Sequence, residues 1–522
     1  MSALGILDRS KYAVWTSTIV KTLGLIEMIL AVSLMVPAGV ALVLGEDPRP
    51  YLAEALPLMT AGALQFVLFR KSSNFKPVSG LMMMGLCWLM MFVVGAVPYL
   101  ILGLKPLDAV FESVSGYTTT GATILPDPTH WPVSLMVWRS FTQWVGGISV
   151  ILVFMYVLPM VGIGRSLFVN ELAGSGSSDY TLKMEKAAMS FIFVYALFTL
   201  VNYVIIVLLG VGMVDALCLT FATISTGGFL NNTSSMADYS LPVQVVTLAF
   251  MFLGGVNFYL HYNALKRREK GIYRSNSEFK FNIEWFLIGI ALIFLMPFLN
   301  SDLNNLNPEA VFNDVWESVF TVISMGTSTG MSISNLSLFP AECITILLLI
   351  GFIGASSGST SGGIKIGRLN VIYQFMKVTV SKTLHPSAVR DVRVDGQVLS
   401  NNAVLSAFSI LMLFTMTLIV GSIAIMMCGY HIFDAVNIAI AMVGNLGTTF
   451  LNFGPNGSFC DVNDAAKIVM MILMWVGRLE VLTAIVFISP SFWKEIAINH
   501  KRSQKWKHRM PVLKSPSSRS KR

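Results

Sequence analysis

Apolar runs long enough to cross a bilayer occur ten times in this chain, and between some of them lie apolar segments only half that length. A transmembrane helix needs about 20 predominantly apolar residues to cross roughly 30 Å of hydrocarbon. Runs of that kind cover 19–44, 53–69, 80–103, 133–160, 188–211, 242–262, 281–299, 341–375 (interrupted), 401–428 and 464–489. The first lacks a small-residue cleavage site and leads straight into another span, so it reads as a span and not a cleavable leader. Of the 522 residues 54% are hydrophobic and only 12% charged, about half the charge of an ordinary soluble domain. That balance excludes a disordered or nucleic-acid-wrapping chain and argues against a water-soluble enzyme. The five cysteines form no CxxC pair, so neither a zinc site nor a disulfide framework is indicated. The expected fold class is an all-α integral membrane protein.

Ten spans place both termini on one side, and basic loops choose which side. Arg70, Lys71 and Lys76, then Arg165, Lys183 and Lys186, the run 266–270, the stretch 368–393 and the tail share one face. Glu46, Asp47, Glu54, Asp127, Asp302, Glu342, Asp461 and Asp464 share the other. Both termini are therefore expected in the cytoplasm. The net charge of +8 comes largely from the basic tail, residues 491–522, which fits a topology and lipid signal and not a nucleic-acid site.

The half-length segments read DAVFESVSGYTTTGAT (108–123), DALCLTFATISTGGF (215–229), ESVFTVISMGTSTGMS (317–332) and DAVNIAIAMVGNLGTTF (434–450). Each opens on an acid, continues as short apolar turns and closes on small polar residues and glycine. The separations Asp108 to Gly121, Asp215 to Gly227, Glu317 to Gly330 and Asp434 to Gly447 are 13, 12, 13 and 13 residues. Each is flanked by spans, so the chain after residue 80 repeats one unit of span, half-span, span four times. Non-helical backbone at membrane depth requires protein or a water-filled cavity to satisfy it. Helix C-termini carry partial negative charge, and glycine allows the positive φ that turns carbonyls inward. Four such ends around one axis can replace the water shell of a monovalent cation. Any one of them alone reads as an ordinary helix C-cap. The acids read as favouring the helix N-termini.

Several strings together resemble the Trk/Ktr/HKT superfamily of cation transporters, most closely its TrkH/TrkG-type potassium uptake membrane subunits. They are FESVSGYTTTGAT, QWVGGI (143–148), STGGF (225–229), GGVNFYLHY (254–262), GSTSGGIKIGR (358–368), NLG (445–447) and GRLEVLT (477–483). The resemblance implies four pore repeats (77–162, 163–266, 267–398 and 399–490) around a pseudo-fourfold pore, after a two-span region at 1–76. It implies a selectivity filter for K+ from Thr119, Thr120, Gly121, Ser225, Thr226, Gly227, Ser328, Thr329, Gly330, Asn445, Leu446 and Gly447. The four glycines favour potassium over sodium by that analogy, while Thr448-Thr449 departs from the Pro-Gly that related proteins often carry. It further implies a homodimer in a prokaryotic inner membrane and a cytosolic nucleotide-binding regulatory ring (TrkA-like). K+ is then the transported ion, with no organic cofactor on this chain.

The span 341–375 breaks over residues 354–363, ten residues of Gly, Ala, Ser and Thr. Such a segment can line a cavity, and the resemblance implies an intramembrane gate beneath the filter, built from Gly354, Ser356, Gly358, Ser359, Gly362 and Gly363 with Lys365 at its cytoplasmic edge. A small-residue helix-packing face is the alternative. Arg478 lies twelve residues into the apolar stretch from Ala466 to Ile488, roughly 18 Å deep at 1.5 Å per residue. Intramembrane charges face a cavity or a partner, so Arg478 is either a cation in the pore wall or half of a structural salt bridge. Glu480, two residues away, points to another face. Two GxSxG strings (326–330 and 354–358) lack the strand-turn-helix context of a nucleophile elbow, which leaves an intramembrane serine protease with His261 as a distant alternative. No GxxxxGK[ST] is present, so no P-loop is expected. Inverted repeats of a secondary transporter would alternate in orientation, whereas these four units enter from one face.

Overall fold

The computed structural model describes residues 14–70, 77–156, 177–266, 271–300, 308–386, 390–449, 458–479, 481, 484 and 489–490. The basic tail, Glu480, Lys71, Lys76, Arg165 and residues 267–270 lie outside them. Among the described residues the regular structure is helical apart from one short hairpin. In order it forms α1 (Val14–Leu44), α2 (Arg49–Leu68), α3 (Pro77–Ile101), α4 (Pro106–Tyr117), α5 (Val133–Tyr156), α6 (Ser177–Leu208), α7 (Met213–Ile224) and α8 (Leu241–Gly254). There follow α9 (Phe258–Lys266), α10 (Ile272–Ser275), α11 (Ser277–Asn300), α12 (Pro308–Gly326), α13 (Ala341–Ile353) and α14 (Ile366–Leu384). The hairpin β1 (Arg393–Val394) and β2 (Gln397–Val398) then leads to α15 (Asn401–Met427), α16 (Ile432–Val443) and α17 (Asp464–Arg478). Asp395 and Gly396 both have positive φ between the two strands, as an Asp-Gly hairpin turn requires.

Helix starts follow local chemistry. Pro106 and Pro308 sit in first turns, where their missing N–H costs nothing. Ser400 and Asn463 cap α15 and α17 by accepting from the amides of Ala403 and Ala466. The long helices expose large apolar side chains, with Val43 at 85% and Met427 at 84% exposure. Water would not tolerate such a surface, whereas hydrocarbon does. The short helices are the reverse. α4, α7 and α16 are buried along most of their length, including Glu112, Ser113, Thr220, Thr223 and Asn437. The molecule is thus a multi-pass membrane protein whose short helices are buried and carry a few polar side chains.

Five helices among the described residues are long and apolar enough to cross alone, six if one bent pair counts as a span. The expected straight span 242–262 is that pair: α8 and α9 meet at 100°. Gly254 and Gly255 at the break lack side chains where a Cβ would crowd the Ile224 carbonyl and the Thr327 methyl. The interruption of 341–375 is as expected, with α13 ending at Ile353 and α14 beginning at Ile366.

Candidate functional site

The short helices α4, α7 and α16 and the 19-residue α12 end in one shared geometry, although Glu317, expected at a helix start, lies midway along α12. After α4 the amide of Thr119 donates to Gly116 O at 2.9 Å and that of Thr120 to Ser115 O at 2.9 Å. The same pair recurs as Thr226 to Thr223 O and Gly227 to Ala222 O, Ser328 to Met325 O and Thr329 to Ser324 O, and Asn445 to Met442 O and Leu446 to Ala441 O. This is a Schellman cap, whose first residue past the cap is left-handed. Thr119, Thr226, Ser328 and Asn445 accordingly have φ of 50°, 52°, 56° and 52°. Glycine is usual there, and a β-branched residue at positive φ is strained. Sequence reasoning had assigned positive φ to glycine alone.

Two residues further on, Gly121, Gly228, Gly330 and Gly447 again have positive φ, from 69° to 82°. The second loop therefore aligns one residue later than the sequence expectation. Its glycine is Gly228, which restores a spacing of 13 from Asp215, and its strand is Thr226-Gly227-Gly228. Ser225 is not a loop residue but the C-cap of α7, with its Oγ on Phe221 O at 2.7 Å. The adjacent glycines 227 and 228 allow either reading in sequence, and only the φ pattern separates them.

The loops touch one another in cyclic order. A Cβ on Gly121 would overlap Gly227 O, on Gly228 Thr329 O, on Gly330 Leu446 O, and on Gly447 Thr120 O. The carbonyls of Thr120, Gly227, Thr329 and Leu446 thus each abut the glycine of a neighbouring loop, and the four contacts close on themselves. On one side of this ring lies an open depression lined by Gly121, Thr123, Gly228, Gly330, Leu446 and Thr448 among others. Asp127 sits between two proline residues of that lining. Hydrogen bonds from the Thr129 hydroxyl, then from the Thr129 amide, hold its carboxyl below the usual carboxylate range, so it stays ionised at the rim.

On the other side lies the segment between α13 and α14. Gly354, Gly358 and Gly363 have positive φ. The Ser356 amide donates to Gly255 O at 3.0 Å and the Phe258 amide to Gly358 O at 3.2 Å, which ties the segment into the α8–α9 bend. Ser359 Oγ donates to Ser356 O at 2.6 Å. Gly362 N donates to Ser328 Oγ at 2.6 Å, and Thr226 Oγ1 donates to Thr360 Oγ1 at 3.2 Å. Gly362 also abuts Gly444 O where a Cβ would overlap. The segment is therefore pressed against the second, third and fourth loops. Lys365 is buried at the start of α14, with Nζ donating to the Ser361 carbonyl.

Arg478, 4% exposed, donates from Nη1 to Thr360 O at 2.8 Å. Among the described residues no carboxylate pairs with it, and its Nε and Nη2 have no hydrogen-bond partner. Thr119 Oγ1 and Asn445 Oδ1 are also buried without partners among the described residues, as polar atoms facing a wet cavity would be. His261 is satisfied by Tyr273 OH at 2.9 Å and Leu253 O at 3.0 Å.

One feature escaped the sequence reading. Glu112 of α4 and Arg139 of α5 form a fully buried ion pair at 2.8 Å. Glu112 also accepts from Thr123 Oγ1 and Ile124 N, and Arg139 reaches Leu230 O at 3.2 Å and covers the Phe229 ring at 4.0 Å. A charge inside each of two apolar stretches was the available signal. The helix-start acid Asp108 likewise pairs with Lys467 of α17 at 2.7 Å.

A family model described as a cation transport protein, TrkH, matches residues 88–495. The chain belongs to that family. The Trk system potassium uptake protein TrkH of Halomonas elongata is 28% identical over 495 residues, covering 91% of this chain and 99% of the relative. The protein of the same name from Vibrio parahaemolyticus is 29% identical over 491 residues, with the same coverage. TrkG of Escherichia coli is 29% identical over 440 residues, 83% of this chain and 89% of the relative. The crystal structure of the potassium transporter TrkH from Vibrio parahaemolyticus superposes with a TM-score of 0.82 at 26% identity, over 92% of this chain and 99% of that one.

Proposed function

We propose that this chain is a potassium uptake subunit in which dehydrated K+ passes a four-loop carbonyl filter above an intramembrane gate. The observation that carries the reading is the closed ring of contacts joining Thr120, Gly227, Thr329 and Leu446 to the glycines of neighbouring loops. Such a ring sets carbonyl dipoles at fixed spacing, and dipoles of that sign attract a cation and repel an anion. The repeats at 77–162, 163–266, 267–398 and 399–490 are the four quarters of the pore. Thr119–Gly121, Thr226–Gly228, Ser328–Gly330 and Asn445–Gly447 are its filter strands. The gate is residues 354–365, and Arg478 adds a positive barrier beneath the ring. The ion moves down its electrochemical gradient, where an inside-negative potential contributes about 2.3 kcal/mol per 100 mV. No bond is made or broken.

In the same reading the depression faces outward, both termini are cytoplasmic, and the membrane is a prokaryotic inner membrane. The names of the relatives, each a member of a Trk system, support a partner assembly. We place this chain as a homodimer on a cytosolic nucleotide-binding ring. Purified chain in liposomes tests the transport reading: K+ and Rb+ flux above Na+ and Li+ supports it, and equal passage of all four, or none, overturns it.

A further inference from the structure

The four filter strands differ at one position. The residue before the positive-φ glycine is Thr120, Gly227, Thr329 or Leu446. Three of these brace themselves with their own side chains. Thr120 Oγ1 lies 2.7 Å from Thr118 Oγ1, Thr329 Oγ1 lies 2.8 Å from Thr327 Oγ1, and the Leu446 methyls fill the space over Gly351. Gly227 has no side chain to do this.

Its place is taken from outside. A Cβ on Gly227 would meet the Gln143 carboxamide, with Cδ at 2.5 Å, Oε1 at 2.7 Å and Nε2 at 2.8 Å. Gln143 Nε2 donates to Gly227 O at 2.6 Å, and Gln143 Oε1 accepts from Phe229 N at 3.1 Å. Gln143 is fully buried. Gly146 and Gly147, one turn along the same face of α5, explain how it arrives there. A Cβ on Gly146 would overlap Tyr117 O, and one on Gly147 would stand 3.1 Å from Ser225 Cβ. The bare backbone lets α5 lie against the ends of α4 and α7.

We infer that Gln143 is a selectivity-determining positioning residue, supplying from α5 the brace that Gly227 lacks and fixing the Gly227 carbonyl within the ring. The inference rests on the filter reading above. The carbonyl of Gly227 is the ring member facing Gly121, and it alone of the four is tied to a side-chain amide among the described residues. A peptide held at both its carbonyl and the amide two residues on cannot rotate to suit a smaller ion.

The test uses the full chain in liposomes and reads the K+/Na+ flux ratio alongside the thermal midpoint. Gln143→Met keeps length and volume but removes both hydrogen bonds, and is expected to lower the ratio by roughly threefold to tenfold, the range of one or two lost bonds. Gly227→Thr, which forces a side chain against Gln143, is expected to lower it likewise. Combining Gln143→Ala with Gly227→Thr gives the second strand the side chain its counterparts carry, and is expected to recover the ratio above either single variant. A discriminating wild type with an unchanged ratio in folded Gln143→Met overturns this inference alone, as does a double variant no better than the worse single one. A wild type that passes K+ and Na+ equally overturns the filter reading and this inference with it.

Discussion

The Arg478 guanidinium holds the Thr360 carbonyl at 2.8 Å and has two further donor nitrogens without partners among the described residues. In the proposed reading it is at once a charge beneath the ring and a latch on the gating segment. At an effective dielectric of about 20, a unit charge some 6 Å from an ion contributes close to 3 kcal/mol. Water in the cavity reduces this to a several-fold effect on rate. Arg478→Ala should therefore raise flux per folded molecule. Unaltered flux with a lowered thermal midpoint would leave the residue as architecture.

The intramembrane segment leaves and re-enters at nearly one place, since Gly354 abuts Gly362 O. Excising Ser356–Ser361 joins neighbouring backbone and removes the Thr360 contact with Thr226. Basal flux should rise while the K+/Na+ ratio holds, because an obstruction sets rate and the ring sets choice. Flux at background from folded protein would make the segment a packing element.

Gly121 combines φ of 82° with a neighbour's carbonyl in the place of its Cβ. Gly121→Ser adds left-handed strain of about 1–2 kcal/mol and displaces Gly227 O. Discrimination of K+ from Na+ should fall in the flux assay, with expression retained. An unchanged ratio sinks the role given to this loop.

Glu112 and Arg139 are each almost fully buried and hold residues 123–124 and 229–230 in one network. Glu112→Leu strands a buried guanidinium, which costs about 3–5 kcal/mol. The thermal midpoint in detergent should drop by several degrees, and Glu112→Leu with Arg139→Leu should recover part of the loss. A midpoint equal to wild type in the single variant would show that the pair carries no stability.

Much of this was readable in the chain. The half-length segments and the break at 354–363 came directly from hydropathy and small-residue runs, because bilayer thickness fixes the length of a span, whereas of the ten expected spans five, or six with the bent pair, are long and apolar enough among the described residues. The register of the second loop did not, since consecutive Gly227 and Gly228 satisfy the pattern in either frame. The strained Thr119, Thr226 and Ser328 ran against propensity, and only the neighbouring loops and helix caps make such φ values tolerable. The bend between α8 and α9 was signalled by Gly254-Gly255 but hidden by uniform hydropathy. Glu112 with Arg139, and Gln143 with Gly227, join residues 27 and 84 positions apart, which no local periodicity reports.

The 13-residue interval from the opening acid to the positive-φ glycine is common to all four loops. Each glycine is also the seat of the next strand's carbonyl. A substitution in one strand can be absorbed locally, as Gly227 and Leu446 show beside Thr120 and Thr329. An insertion cannot: one added residue would unseat two contacts, one toward each neighbour, and open the circle. Side chains in these four stretches are thus free to drift apart while their length is held in common, and kinship among the quarters is better measured by counting residues than by comparing them.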